Sequence, residues 1–456
     1  MKNISRVFIA NRGEIAVRII RACKSLGLET VTAVSDADRV SLAAQMADRA
    51  VCVGPPRAPD SYLNINLLIT AALGTNSDAL HPGYGFLAEQ PELAEACEKF
   101  HIQFIGPSPE NIRKMGNKLW ARKIAENCGV PTIPGSEKVP TAQEAISIAE
   151  AIGFPVILKA AAGGGGRGMK IAYHSEDVRD SFDTLSAEVQ SAFGDGTLYL
   201  EKYIPDARHI EVQILGDDFG NVIHLGERDC SLQRRHQKIL EEAPSTVLPP
   251  QLREKIWHAA VTIAEAIQYR SAGTIEFVFD QERGEFYFLE MNTRIQVEHP
   301  VTEQITGVDL VQEQIHVANH HPLRYAQGDI QFEGHAIECR VNAESPTNGF
   351  LPSPGLIQKW FFPEDSHVRV DSHCYPGYVI PPYYDSLIAK VIAKGKDRIS
   401  AIENMQRFLN KCIVTGVETT IPFHQRLIKH PDFINGRVNT RWLEDAILPG
   451  LRSGHE

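Results

Sequence analysis

Two runs of alternating residues, Thr274-Ile275-Glu276-Phe277-Val278-Phe279-Asp280 and Glu285-Phe286-Tyr287-Phe288-Leu289-Glu290, flank Glu282-Arg283-Gly284. Period-two alternation marks strands, and a three-residue loop with glycine in the left-handed position joins them into a hairpin. Closed at 281 and 285, this hairpin sets Glu276 opposite Glu290, to within a residue. Opposed Cβ atoms on one face lie about 4.5–5.5 Å apart, where like charges repel. A hard cation such as Mg²⁺, sharing carboxylate oxygens with substrate phosphates, resolves the repulsion. Asn292 continues the same face and adds an oxygen. The bland alternative is two solvated carboxylates, which the aromatic neighbours disfavour.

Just beyond lie Arg294, Gln296, Val297 and Glu298. Arg294 offers a planar fork suited to a carboxylate-like oxyanion. Glu298, four residues on, is placed to act as a general base. The same spacing describes a surface ion pair, so its weight comes from following the hairpin. Arg228 to Lys238 brings together Arg228, Arg234, Arg235, His236 and Lys238 within an acidic chain. Such a run suits phosphate and a second anion, or else forms a basic surface helix.

Gly163-Gly164-Gly165-Gly166-Arg167-Gly168 lies between the strand candidates Pro155–Lys159 and Met169–Tyr173. Glycines this dense cost backbone entropy and allow close approach to a phosphate. Because no GK[ST] follows, the segment is not a Walker A loop. Strand, glycines, strand predicts a mobile hairpin lid, with Lys159 as a point charge for a phosphate. A flexible hairpin without a ligand is the alternative.

These residues need elements to hold them. Arg6–Ala10 reads as a strand, Asn11-Arg12-Gly13 as a turn, Ile15, Ile19 and Ala22 as one helix face, and Thr30–Val34 as the next strand. Strand–helix alternation implies a parallel sheet. With no GxGxxG, NAD or FAD binding carries little weight. His81-Pro82-Gly83-Tyr84-Gly85 is a second turn of the kind that gathers ligands after strands. A Pro/Gly-rich linker at 130–135 opens a new unit, and a compositional change near Gly328 opens a terminal one, in which Gly334–Val341 and Tyr383–Ala393 read as strands.

The 456 residues are 43% hydrophobic and 23% charged, a globular balance with room for about three domains. The 57 acidic against 46 basic residues give a net charge of -11, which argues against nucleic acid or an anionic membrane as main partner. No signal-peptide pattern opens the chain, and Ser61–Ser77 falls short of the ~20 apolar residues a membrane span needs. Eight scattered cysteines without a CxxC pair predict reduced thiols, with neither zinc site nor disulfide framework. A cytoplasmic enzyme is expected.

Taken together, RVFIANRGEIAVRIIRAC, HPGYGFLAE, FIGP, MGNK, KAAAGGGGRGMK, RHIEVQ, ERDCSLQRRHQK, EFYFLEMNTRIQVEHPVTE, GHAIECRVNAE, FLPSPG and PPYYDSLIAK resemble biotin carboxylase, within the ATP-grasp superfamily. The resemblance spans Arg6 to about Leu448. It departs mildly at Lys170 and Ser345, where the family often has Arg and Asp. It implies an α/β and α+β chain in three parts: a Rossmann-like N-terminal domain (1–114), an ATP-grasp domain (115–330, lid about 132–203) and a mixed α/β C-terminal domain (331–448).

The resemblance also implies residue roles. Lys118 and Lys159 would hold ATP phosphates beneath a lid carrying Gly164, Gly165, Gly166 and Met169. Glu201, Lys202 and Ile204 would edge the adenine, His209 would lie near the ribose, and Gln233 and His236 would lie in the nucleotide pocket. Glu276, Glu290 and Asn292 would bind Mg²⁺ (or Mn²⁺). Arg294, Gln296 and Val297 would hold bicarbonate with Lys238 beside them, Glu298 would be the base, and Arg340 and Tyr84 would face biotin. The implied reaction is ATP- and bicarbonate-dependent carboxylation of biotin through carboxyphosphate. No carboxyltransferase region and no Ala-Met-Lys-Met biotinylation signature is read in the chain. The expectation is a free-standing homodimeric subunit served by a biotin carboxyl carrier protein and carboxyltransferase subunits. Acetyl-CoA carboxylase is the leading assignment, ahead of pyruvate, propionyl-CoA and other acyl-CoA carboxylases and of a different ATP-grasp ligase.

Overall fold

Val7, Phe8 and Ile9 are apolar on both faces of one short run, which demands cover on both sides of a sheet. The computed structural model, which describes residues 3–160 and 168–452, supplies it. Strands β1 (Arg6–Ile9), β2 (Glu29–Val34), β3 (Arg49–Cys52), β4 (Ala79–His81) and β5 (Gln103–Phe104) form a parallel sheet in the order β3-β2-β1-β4-β5. The turns after β1 and β4 therefore flank the point where strand order reverses, the place where open α/β sheets bind ligands. Asn11 Nδ2 joins the two turns, donating to the carbonyls of Pro82 and Tyr84 at 2.7 Å each. Gly13, at φ +69°, allows the chain to swing straight into helix Gly13–Ser25.

The expected hairpin around the glycine run is present in the described residues as strands β6 (Val156–Ala160) and β7 (Met169–Ala172), which pair antiparallel with Lys159 opposite Met169. With β8 (Leu198–Lys202) they form a small sheet, β7-β6-β8. Val156, Leu158 and Leu200 bury one face against helices Ala142–Ile152 and Ser175–Phe193, leaving Lys159 and Glu201 on the other. The expected linker at 130–135 is held to the strands on either side of it. Phe288 donates its amide to the Pro131 carbonyl at 2.7 Å, and a Cβ at Gly135 would come within 2.3 Å of the Leu200 carbonyl oxygen.

The largest sheet comprises β9 (Ala207–Gly216), β10 (Val222–Arg234), β11 (Gln237–Ala243), β12 (Ser271–Asp280), β13 (Glu285–Asn292), β14 (His335–Asn342), β15 (Val368–Ser372) and β16 (Leu387–Gly395). Its antiparallel order is β13-β12-β9-β10-β11-β14-β16-β15. It runs uninterrupted across the 330/331 division expected from sequence, because β11 pairs with β14, Leu240 opposite Cys339. The cationic run Arg228–Lys238 belongs to the β10–β11 hairpin and not to a surface helix. Arg228 is wholly buried there, its donors taken up by Glu211, Gln213, Thr274, Gln296 and Thr302. The terminal strand begins at Leu387, later than Tyr383, since Pro381-Pro382 precede a turn in which Asp385 accepts the Leu387 amide at 2.8 Å.

All eight cysteines are free thiols. Among the described residues, no helix is long and apolar enough to cross a membrane.

Candidate active site

The hairpin that carries the paired carboxylates closes one residue earlier than the spacing suggests. Asp280 pairs with Glu285, leaving a four-residue loop, 281–284, with Gly284 in the left-handed region at φ +67°. That shift alone would set Glu276 opposite Leu289. A bulge between the Phe277–Phe288 and Glu276–Glu290 pairs restores the expected juxtaposition. Asn292 follows on the same side and donates Nδ2 to Glu276 at 2.9 Å.

A cleft of about 1370 Å³ opens between the N-terminal sheet, the small sheet and the large one. Every expected site residue that the structure describes lines it: Tyr84, Lys118, Lys159, Met169, Glu201, Lys202, Ile204, His209, Gln233, His236, Lys238, Glu276, Glu290, Asn292, Arg294, Gln296, Val297, Glu298 and Arg340. Gly164, Gly165 and Gly166 lie outside the described residues.

Lys238 is the hub. Its ammonium donates to Glu276 at 2.9 Å, to Glu298 at 2.7 Å and to Glu211. Burial opposes this charge, but three carboxylates outweigh it and hold the ammonium protonated well above the usual lysine range. Reciprocally, burial pushes the Glu276 carboxyl up, yet Lys238 and His209 keep it well below the usual carboxylate range. Burial likewise pushes against ionised Glu298, and Lys238 and Arg340 overcome it, so this carboxyl is held low. Arg340 spans Glu298 (Nη2 to Oε2, 2.8 Å) and Glu241 (Nε to Oε1, 2.5 Å). Glu241 is pushed up to about 7 by burial, against the pull of Arg340.

Glu290 behaves differently. Burial and the neighbouring Glu276 raise its carboxyl, with Lys118 opposing. Glu276 already faces Lys238 and His209, whereas Glu290 sits beside it with Lys118 as its opposing charge. With the Asn292 oxygen the pair fits a hard divalent cation.

The remaining residues divide by reach. Lys159 donates to Glu201 at 2.5 Å, while Lys202 turns away to the carbonyls of Gly153 and Phe154 at 2.9 Å each. Arg294 holds Glu89 (2.9 Å) and the Asn292 oxygen (3.0 Å). Gln296 links Arg228 to Glu276. Tyr84 donates its hydroxyl to Glu14 at the mouth of the N-terminal turns.

Known proteins resemble this chain over nearly its whole length. Family models match residues 3–112 (biotin carboxylase, N-terminal domain), 117–326 (carbamoyl-phosphate synthase L chain, ATP binding domain) and 338–445 (biotin carboxylase C-terminal domain). Biotin carboxylase 1 of Bacillus subtilis is 53% identical over 448 residues, covering 98% of this chain and 100% of that protein. The chain belongs to the biotin carboxylase family. It is accordingly an ATP-dependent ligase. A biotin carboxylase structure from Campylobacter jejuni superposes with TM-score 0.94 at 46% identity, covering 97% of this chain and 99% of that one. The biotin carboxylase domain dimer of Hydrogenobacter thermophilus 2-oxoglutarate carboxylase, solved with MgADP and bicarbonate, gives TM-score 0.93 at 48% identity, covering 99% of each chain. A pyruvate carboxylase subunit from Methanothermobacter thermautotrophicus is 50% identical, over 97% of this chain and 90% of that protein. The biotin carboxylase fold is thus common to carboxylases with different acceptors.

Within this biotin carboxylase framework, residues that spacing did not single out turn out to be integral. Glu211 shares a strand face with His209 and meets both Lys238 and Arg228, so the His-x-Glu alternation in RHIEVQ was a usable signal. Glu241 and Glu89 were not findable that way, because each meets its arginine only through strand pairing or loop packing.

Proposed function

We propose that this chain carboxylates biotin on a separate carrier protein, as the first half-reaction of a multi-subunit carboxylase, with acetyl-CoA carboxylase as the first assignment. The observation that carries the reading is the bonding of Glu298 to both Lys238 and Arg340 at 2.7 and 2.8 Å, which puts an ionised carboxylate between two cations from the paired strands β11 and β14. Bicarbonate binds beside Arg294, Gln296 and Val297, drawing Lys238 away from Glu298. With less positive charge against it, Glu298 gains proton affinity and takes the bicarbonate proton. A bicarbonate oxygen then attacks the γ-phosphorus of ATP in line. The bond from that phosphorus to the β-bridging oxygen breaks, giving carboxyphosphate and ADP.

Lys118, Lys159 and Lys238 act here by position and charge, since phosphoryl transfer leaves a protein little covalent work. His209, Glu201, Ile204, Gln233 and His236 shape the nucleotide end. Glu276, Glu290 and Asn292 would hold Mg²⁺ or Mn²⁺, whose charge would neutralise phosphate oxygens. Carboxyphosphate splits into CO₂ and phosphate, and the phosphate accepts the ureido N1 proton of biotin. The N1 electron pair forms the new bond to CO₂, while Arg340 stabilises the enolate oxygen near Tyr84. A glycine-rich lid over 132–203 would exclude water meanwhile. We further propose a homodimer, in keeping with the dimeric relative.

The test is ADP release from ATP with and without bicarbonate and free biotin. ADP formation that requires bicarbonate and is accompanied by carboxybiotin supports the reading; ADP formation indifferent to both overturns it. Carboxylation of acetyl-CoA, propionyl-CoA or pyruvate with the co-purifying carrier then assigns the acceptor.

A further inference from the structure

Lys390 lies on β16 directly opposite Arg340 of β14, and its side chain is wholly buried. It donates to the Val297 carbonyl oxygen at 2.8 Å and lies 3.1 Å from Glu14 Oε1. Glu14 is itself buried, starts the helix after β1, and accepts the Tyr84 hydroxyl. Three distant stretches of chain therefore meet at the Lys390 ammonium, through residues 14, 297 and 390, and Tyr84 joins them through Glu14.

The Val297 carbonyl and the Glu298 amide belong to the same rigid peptide plane. Whatever holds that carbonyl fixes where the Glu298 side chain leaves the backbone. The peptide's other neighbours are anchored too. The Gln296 carbonyl meets His299 Nδ1 at 2.7 Å, and the Gln296 side chain is held by Arg228 and Glu276. The Val297 carbonyl is tied to β16, through Lys390. The ammonium also faces the buried carboxyls of Glu338 and of Asp371, which pairs opposite it on β15, and with these carboxyls around it one of its bonds still goes to a backbone oxygen, which sets the geometry of that peptide.

We infer that Lys390 is a positioning residue of the bicarbonate site, orienting the Val297–Glu298 peptide; the inference rests on the site reading proposed above. It acts through the backbone and touches no reacting atom. Groups that support a catalytic constellation in this way typically change activity about 10- to 100-fold when removed.

Lys390→Met alone would leave Glu14 buried without its cation, so the informative variant is the double Lys390→Met/Glu14→Gln, which removes both charges. The readouts are KM for bicarbonate and KM for ATP in bicarbonate-dependent ATP cleavage, together with the thermal midpoint. The expected result is a folded enzyme whose bicarbonate KM rises about tenfold or more while its ATP KM stays within about twofold. The single Glu14→Gln, which keeps the Lys390 bond to Val297, should raise the bicarbonate KM far less than the double. Unchanged bicarbonate KM in the double, or bicarbonate and ATP KM values raised in proportion, overturns the inference. A double variant that does not fold marks Lys390 as purely structural and overturns it equally. Absence of bicarbonate-dependent cleavage in the unsubstituted enzyme would instead defeat the site reading, a distinguishable outcome.

Discussion

Lys238 and Arg340 each hold one oxygen of the Glu298 carboxylate, and the two cations serve different steps of the proposed reaction. Glu298→Gln should suppress bicarbonate-dependent ATP cleavage and biotin carboxylation together, because proton removal precedes both. Arg340→Ser should lose mainly biotin carboxylation, by about 10²–10³, the usual cost of one oxyanion donor, and keep a larger share of ATP cleavage. Parallel assays of ADP and carboxybiotin check the split, and equal loss of both in each variant refutes it. Glu276 and Glu290 should also part company. Glu276 accepts from Lys238, Asn292 and Gln296, so Glu276→Gln weakens both Mg²⁺-dependent turnover and the fold. In Glu290 the ionised form is opposed by burial and by Glu276. Glu290→Gln should therefore weaken Mg²⁺-dependent turnover while raising stability in chelator by up to about 1 kcal/mol, the scale of a relieved cross-strand like-charge pair. Calorimetry with and without Mg²⁺ measures both.

At the scale of elements, the β11–β14 pairing joins the ATP-grasp strands to the terminal region, and a buried charge cluster secures it. Glu242 of β11 meets His335 of β14 at 2.8 Å and Arg398, at the start of the helix Arg398–Leu409 that follows β16, at 2.6 Å. Burial pushes the Glu242 carboxyl up, but His335 and Arg398 prevail and bring it to about 2, against an ordinary value of 4.5. A folded value below the unfolded one means stability that is fully present above about pH 4.5 and lost as pH falls toward 2. Its size is about 3 kcal/mol, from the shift at 1.36 kcal/mol per pH unit. Glu242→Gln should flatten the stability profile across that window. Urea titrations of both proteins between pH 5 and 3 test this, and parallel curves would refute it.

Across the whole molecule, Arg18 ties the helix Gly13–Ser25 to the helix His299–Thr306, whose N-cap is Glu298, and to Asp309 beyond it. It donates to Glu303 at 2.9 Å and to Asp309 at 2.6 Å, while Arg369 of β15 reaches Glu303 from the far side at 2.6 Å. Arg18 and Glu303 are buried, but Glu303 keeps Arg369 and Asp309 is partly exposed, so Arg18→Met should cost about 1–3 kcal/mol, less than a buried pair broken outright. Because the large sheet spans residues 207–395 without a break, secondary-structure and tryptophan signals should fall together in that denaturation experiment. Separate transitions would show that the terminal region unfolds independently of the sheet.

The alternation around Glu276 and Glu290, the glycine run and the strand–helix order near the N-terminus are local patterns, and local steric preferences produce them without reference to the rest of the chain. They were enough to identify a carboxylate hairpin and, with the motif text, the family. The exact hairpin closure was not legible, because a longer loop and a compensating bulge cancel within the same two strands. The cationic run could be read as a helix or an anion site, and burial decided the matter: Arg228 became a core residue while Lys238 entered the cleft. Glu241, Glu89, Glu14 and Lys390 carry no local signal, since each acquires its partner from a strand or loop remote in sequence. Only folding, by excluding water from those encounters, makes their charges matter to one another.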